Sequence, residues 1–212
     1  TLHSNCVLSF DVEKPRLIVR EFYGRAAEKP QADLCCPTKF DDRDIAHIPQ
    51  DVLDRFYGCG SPVVAADVKT GEVFVDLGCG AGIDVFIAAK RVGPDGKAIG
   101  VDMTGRMLDV ARGCAPAVAT NLGYDVAEFR EGFLEAPPVP PKSADVVTSN
   151  CVVNLSPDKG RVFAGIWLML KDGGRTVISD IVSEREVPPS LKTNPDLWGE
   201  CTVGALTEDG FL

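Results

Sequence analysis

The sequence predicts an α/β domain: a mostly parallel, doubly wound sheet with helices on both faces, carrying a small N-terminal attachment. From Glu72 onward, short apolar runs of strand character alternate with segments of helical spacing, the pattern of a parallel sheet covered on both sides. The first of those runs leads into Asp76-Leu77-Gly78-Cys79-Gly80-Ala81-Gly82, a glycine-rich turn of the kind that joins strand to helix in such sheets. Before about residue 60 this alternation is missing, which divides the chain into an attachment, 1–60, and the main domain, 61–212.

In the attachment, Cys6 to Phe10 reads as extended and Pro15 to Ala27 as amphipathic, and a polar loop holds Cys35-Cys36-Pro37. A short helix is predicted from Pro49-Gln50-Asp51, with Val52, Leu53 and Phe56 at helical spacing and a stop at Gly58-Cys59-Gly60. Beyond it, Val73 to Val75, Ala98 to Val101, Ala127 to Arg130, Ala144 to Ser149 and Arg175 to Ile181 read as strands. Helices are predicted over Ile83 to Arg91, over Arg106 to about Leu122 with a break or a weakening near Pro116, and over Pro157 to Leu170. For the last, Ser156 is the expected N-cap and Gly173-Gly174 the expected stop.

Composition narrows the function. The 212 residues are 45% hydrophobic, enough for a full core. Thirty-one acidic side chains against 22 basic ones give a formal charge of -9, so the general attraction to phosphates is absent and no nucleic acid or anionic membrane is expected as a partner. No apolar run approaches the ~20 residues of a spanning helix, and Thr1-Leu2-His3-Ser4 lacks the pattern of a signal peptide. A cytoplasmic, monomeric protein is the expectation. Eight cysteines are many for a reducing compartment and need another explanation than disulfides.

The glycine turn points backbone N–H groups at a ligand, although glycine also serves tight turns for purely steric reasons. Asp76 lies just before the turn and Asp102 ends the second strand, where a carboxylate can accept both hydroxyls of a ribose. Asp76 would repel a pyrophosphate and attract the ammonium and sulfonium groups of S-adenosylmethionine, which favours that cofactor over a dinucleotide. Gly78 and Gly80 form the turn. Leu134 and Glu135 follow the third strand, where Leu134 can pack on an adenine and Glu135 or nearby backbone can accept from its amino group. Ser149-Asn150 end the fourth strand at the same sheet edge. Each of these is also compatible with an ordinary strand end.

Cys151 follows the fourth strand and is expected to face the crevice, unless it is simply a core residue. Cys201, in Trp198-Gly199-Glu200-Cys201, comes after the fifth strand, and Cys6, Cys35 and Cys36 belong to the attachment. Cys59, Cys79 and Cys114 read as small apolar residues. Structural zinc wants four ligands, usually in Cys-x-x-Cys pairs that do not occur here, and His3 and His47 add little. Three thiolates instead suit a trivalent soft centre that keeps a lone pair.

These segments resemble the arsenite S-adenosylmethionine methyltransferases, within the Rossmann-like class I methyltransferases. The residues that carry the likeness are Asp76-Leu77-Gly78-Cys79-Gly80, Gly100-Val101-Asp102-Met103-Thr104, Ser149 through Lys159, and Trp198-Gly199-Glu200-Cys201. Arg20 to Gly24 and Arg55 to Gly60 fit as well. The resemblance implies methyl transfer from S-adenosylmethionine to trivalent arsenic, with Met103 among the cofactor-binding residues. It implies thiolate ligands from Cys151, Cys201 and one N-terminal thiol, Cys36 ahead of Cys35, and a Cys6 that pairs with the N-terminal ligand during redox cycling. A glutathione or thioredoxin reductant follows from the same resemblance. Competing readings are a methyltransferase of a small organic molecule and a non-catalytic soft-metal sensor. Methyltransferases of this fold finish with an antiparallel hairpin, whereas this sequence ends at Thr207-Glu208-Asp209-Gly210-Phe211-Leu212; a missing C-terminal part is the expectation.

Overall fold

The computed structural model describes residues 13–31, 38–188 and 202–211. Five parallel strands form one sheet: β1 (Val73–Leu77), β2 (Lys97–Asp102), β3 (Ala127–Glu131), β4 (Ala144–Asn150) and β5 (Leu170–Ser179), in the order β3-β2-β1-β4-β5. The chain winds outward from β1 to β3, then returns to the other side of β1 with β4. Their carboxyl ends diverge at β1 and β4, the place where open sheets of this kind leave a crevice.

Helices α1 (Glu13–Glu28), α2 (Asp42–Ile45), α3 (Gln50–Leu53) and α4 (Pro62–Ala65) precede the sheet, and α5 (Ile83–Val92), α6 (Gly105–Leu122) and α7 (Lys159–Met169) alternate with its strands. A short α8 (Glu208–Phe211) comes last among the described residues. Phe74, Phe86, Ile87 and Leu108 fill the core on one face, and Leu77, Val101, Ile166 and Met169 on the other. The described part of the attachment has no core of its own. Val52, Phe56, Ala26 and Ala27 pack into the same cluster as Phe74 and Phe86.

Four local expectations are corrected. Helix α3 ends at Leu53, with Pro49 at its N-cap rather than inside it and Phe56 beyond its end. Helix α6 runs unbroken through Pro116. Arg112 and Pro116 both lie on the exposed side, so the carbonyl that proline cannot satisfy is left to water. Helix α7 begins at Lys159 rather than Pro157 and is capped by Asp158, whose carboxylate accepts from Arg161 N–H at 3.0 Å; the Ser156 hydroxyl, one step outside the helix, accepts from Asp158 N–H at 3.1 Å and donates to Glu135. It also stops at Met169, ahead of Gly173-Gly174, which lie inside β5. There the orphan carbonyls of Leu168 and Met169 accept from the N–H groups of Lys142 and Ser143, an exchange with a distant segment that local glycine chemistry cannot reveal.

Candidate active site

The crevice begins with a register. Asp76 on β1 faces Thr148 on β4, and the threonine hydroxyl donates to Asp76 Oδ1 at 2.7 Å. After β1, Gly78, Gly80 and Gly82 take φ of +75°, +52° and +94°, left-handed values that an L side chain resists. A Cβ at Gly78 would fall 2.5 Å from Val152, whereas at Gly80 it would meet nothing within 4 Å. The turn is therefore packed on one side and open toward the crevice on the other. Asp102 closes it from β2: its carboxylate accepts from Gly80 N–H at 2.9 Å and from Thr104 N–H at 2.7 Å.

Asn150 is the hub of the opposite wall. Its carboxamide oxygen accepts from Cys59 N–H at 3.0 Å, and its amide nitrogen donates to Gly60 O at 2.9 Å and to Asp84 Oδ2 at 3.0 Å. The loop 58–60 approaches so closely that a Cβ at Gly58 would lie 2.5 Å from the Asn150 amide nitrogen. Glycine is required there by contact. One residue further, Cys151 adopts φ +57°, a strained conformation for a non-glycine residue and one that concentrates at functional sites. Its sulfur is joined to that of Cys59 in a disulfide, with Cα atoms 5.8 Å apart.

The cavity between these walls is lined by Asp76, Gly78, Gly80, Asp102, Met103 and Asn150, with Cys151 and Asp84 beside them. Val19 and Tyr23 of α1 reach into its lining, and Val19 packs in one cluster with Cys151 and Leu155. Leu134 and Glu135 line an adjoining cavity that shares Gly78, Met103, Val152 and Leu155 with the first. Glu135 accepts a bond from Ser156 and pairs with Arg16 of α1 at 3.4 Å, which leaves neighbouring backbone as the freer acceptor for an incoming amino group. The Arg16 guanidinium also lies 4.7 Å from the centre of the Phe133 ring.

Electrostatics in the crevice is dominated by burial of like charges. Burial, together with the Asp84 charge, holds the Asp76 carboxyl well above the usual range. Burial pushes Asp84 up to about 6, against the lowering bond from Asn150. Burial also raises Asp102, opposed by its backbone donors. The residues thus fit a nucleoside cofactor with a cationic tail: an open glycine turn, a carboxylate at the end of β2, and buried acids of which Asp84 Oδ1 has no partner among the described residues.

The cysteines divide differently from the expectation. Cys79 and Cys114 are free, the first buried and the second half-buried, as small apolar residues would be. Cys59, read as a filler of a glycine turn, is instead bonded to Cys151 in the wall of the crevice. Spacing could not reveal this because 92 residues separate the two. Cys6, Cys35, Cys36 and Cys201 lie outside the described residues. Sequence reasoning also missed Asp84 and Thr148. The available signal for Asp84 was an acid in the first turn of the helix after the glycine loop, which by itself says only that the helix dipole is complemented. Among the described residues no group of three or more histidine, cysteine or acidic side chains is arranged to hold a metal ion.

A methyltransferase domain family matches residues 68–211, the stretch that holds the sheet, the glycine turn and Cys151. This chain belongs to the methyltransferase domain family. Within that family it is similar to the arsenite methyltransferase of Halobacterium salinarum, with 40% identity across 94% of this chain and 55% of the relative. The arsenite methyltransferase of Homo sapiens is 32% identical across 89% of this chain and 53% of its own length. An arsenic(III) S-adenosylmethionine methyltransferase from Chlamydomonas reinhardtii superposes with a TM-score of 0.75 at 40% identity, covering 83% of this chain and 60% of that structure. The chain spans about half the length of the curated relatives it matches. The fold is that of a class I methyltransferase, five parallel strands between helices.

Proposed function

We propose that this methyltransferase domain moves a methyl group from S-adenosylmethionine to trivalent arsenic held by cysteine thiolates. The observation that carries the reading is the bond between Cys59 and Cys151, the latter lining the crevice together with Gly58 and the glycine turn. The arsenite methyltransferases among its relatives supply the element.

Asp76, Gly78, Gly80, Asp102, Met103 and Asn150 are assigned to the cofactor, with Leu134 and the backbone near Glu135 at its adenine end. Bound there, S-adenosylmethionine supplies an electrophilic methyl on a sulfonium, which becomes a neutral thioether once the arsenic lone pair has taken the methyl. The protein's contribution is placement. Cys151 and Cys59 provide two sulfurs, and Cys201 is assigned as the third, with Cys36 or Cys35 as the alternative and Cys6 as its redox partner. The fixed loop 58–60 and the strained Cys151 backbone hold two of these sulfurs without motion at the moment of transfer, which is where orientation lowers a barrier. Val19 and Leu155 beside Cys151 keep water from the sulfurs.

Arsenic bound this way requires both thiols free, so the Cys59–Cys151 disulfide must first be reduced. Two external thiols do this by exchange: they form their own disulfide and leave a thiol on each cysteine. Glutathione or thioredoxin is the proposed reductant. The same thiols would return pentavalent methylated arsenic to the trivalent state. A reducing compartment, the cytoplasm, suits this chemistry; no helix among the described residues is long and apolar enough to cross a membrane.

Native mass spectrometry of the reduced chain with arsenite, with and without S-adenosylmethionine, tests the reading. One arsenic per chain is expected, compatible with bound cofactor and lost in Cys151→Ser and in Cys59→Ser. Arsenic binding that survives Cys151→Ser, or cofactor binding without any arsenic adduct, would reject it and turn attention to small organic acceptors.

A further inference from the structure

We propose that reduction of the Cys59–Cys151 bridge has a fixed direction: Cys151 is the sulfur attacked, Cys59 is the sulfur that leaves, and the hydroxyl of Ser179 assists its departure. This deepens the reading of the bridge as a closed arsenic site and rests on it.

Ser179 ends β5 and stands opposite Asn150 in the register with β4. It touches both halves of the bridge. Its carbonyl accepts from Cys151 N–H at 2.7 Å, and its hydroxyl oxygen lies 3.8 Å from the Cys59 sulfur. A disulfide sulfur carries no hydrogen, so in this contact the serine is the donor. The hydroxyl also meets the loop 58–60, since a Cβ at Gly60 would fall 2.4 Å from Ser179 Oγ. Together with Asn150, which accepts from Cys59 N–H at 3.0 Å, Ser179 holds the Cys59 end of the bridge.

The two sulfurs differ in their access from the crevice. Cys151 lines the cavity with Gly58 and the glycine turn, whereas among the described residues neither Cys59 nor Ser179 belongs to that lining. A thiol that enters the crevice therefore meets Cys151. Its attack makes a mixed disulfide on Cys151 and breaks the bond to Cys59. The electron pair of the broken bond goes to Cys59 Sγ, which leaves as a thiolate and then takes up the proton that the attacking thiol gave to water. At that moment the weak contact between hydroxyl and disulfide sulfur becomes a charge-assisted hydrogen bond. A second external thiol attacks the outer sulfur of the mixed disulfide and carries it away, leaving a thiol on Cys151. Two external thiols are oxidised to one disulfide, and the bridge is reduced to two thiols.

The test is the site of the first adduct. The oxidised chain, its free thiols alkylated with iodoacetamide, is pulsed with glutathione, quenched with N-ethylmaleimide in denaturant and mapped by peptide mass spectrometry. Glutathione on Cys151 with maleimide on Cys59 should dominate over the converse. Ser179→Ala should open about threefold more slowly or worse, the loss of one hydrogen bond to a developing charge. Ser179→Thr, which keeps the hydroxyl, should open at the wild-type rate. A merely loosened loop would open faster, so the direction of the change separates hydrogen bonding from packing. Glutathione mainly on Cys59, an alanine variant as fast as wild type or faster, or a threonine variant as slow as the alanine one overturns the proposal. The mapping uses the wild-type chain alone, so it decides even where neither variant folds. Arsenite binding by the fully reduced chain is measured in parallel; its absence brings down the arsenic reading, a result distinct from glutathione on the wrong sulfur.

Discussion

Replacing Asp84 by asparagine should make the folded protein more stable at neutral pH while harming its binding site. The carboxyl moves from an ordinary 3.8 to about 6 in the fold, with burial as the first cause. The native state therefore holds this proton more tightly than the unfolded chain does. Its contribution to stability is greatest below about pH 4, declines as pH rises, and reaches its full penalty above about pH 6. At about 1.4 kcal/mol per pKa unit, that penalty is of order 3 kcal/mol. Asparagine retains an oxygen for the Asn150 amide and cannot ionise. Its new N–H group must find an acceptor in the cavity, which limits the expected net gain to about 1–2 kcal/mol, or roughly 2–8 °C in melting temperature for a chain of this size. Urea unfolding of the two reduced proteins from pH 4 to pH 8 provides the assay. The curves should converge near pH 4 and separate by pH 6, with the variant above. Asp76 should keep a weaker pH dependence, since the Asp84 charge is one cause of its own rise. A variant less stable than wild type at pH 8, or two curves that run parallel throughout, would refute the reasoning.

Two further substitutions probe the walls of the crevice. Asn150→Ala removes bonds to Cys59, Gly60 and Asp84; a loss of about 3 kcal/mol in urea unfolding is expected, together with faster labelling of the Cys59 thiol by a soluble disulfide reagent after reduction. Unchanged labelling would show that the loop is held by something else. Gly78→Ala forces a side chain into φ +75° and against Val152. It should cost about 2 kcal/mol or more of stability and weaken S-adenosylhomocysteine binding, both read from thermal melts with and without that ligand.

The sheet was legible because its strands are short apolar runs separated by helical spacing and by turns of glycine. Period and punctuation are local, and from Val73 to Asn150 the structure follows them within one or two residues. Where the reading failed, the deciding partner was distant. Ser156 looks like the N-cap, but its hydroxyl is shared between Asp158 N–H and the distant Glu135, and the helix starts beyond it at Lys159. Gly173-Gly174 look like a helix stop until Lys142 and Ser143 close the end of α7 earlier. Pro116 looks like a break until its face is seen to be solvent. The crevice acids Asp76 and Asp102 carried a recognisable logic of strand end and glycine turn. Asp84 did not, since its meaning lies in burial and in an unfilled oxygen, neither of which a linear pattern records. Cys59 was hidden for the same reason: a loop far from Cys151 in sequence becomes its neighbour only once Asn150 has drawn it in.

The bridge between Cys59 and Cys151 also sets two demands on the chain against each other. It closes a segment of 92 residues, and in the chain-entropy account a crosslink of that span restrains the unfolded state by about 4–5 kcal/mol. The oxidised chain is then the sturdier one, yet both of its sulfurs are consumed. Reduction frees the sulfurs and relinquishes that restraint at the same moment. A soft ligand that bridges the two thiols would tie the same ends together again, so the substrate itself would act as a staple. The reduced, substrate-free chain is the weak point of the cycle, the state in which heat, urea or a protease should find it first.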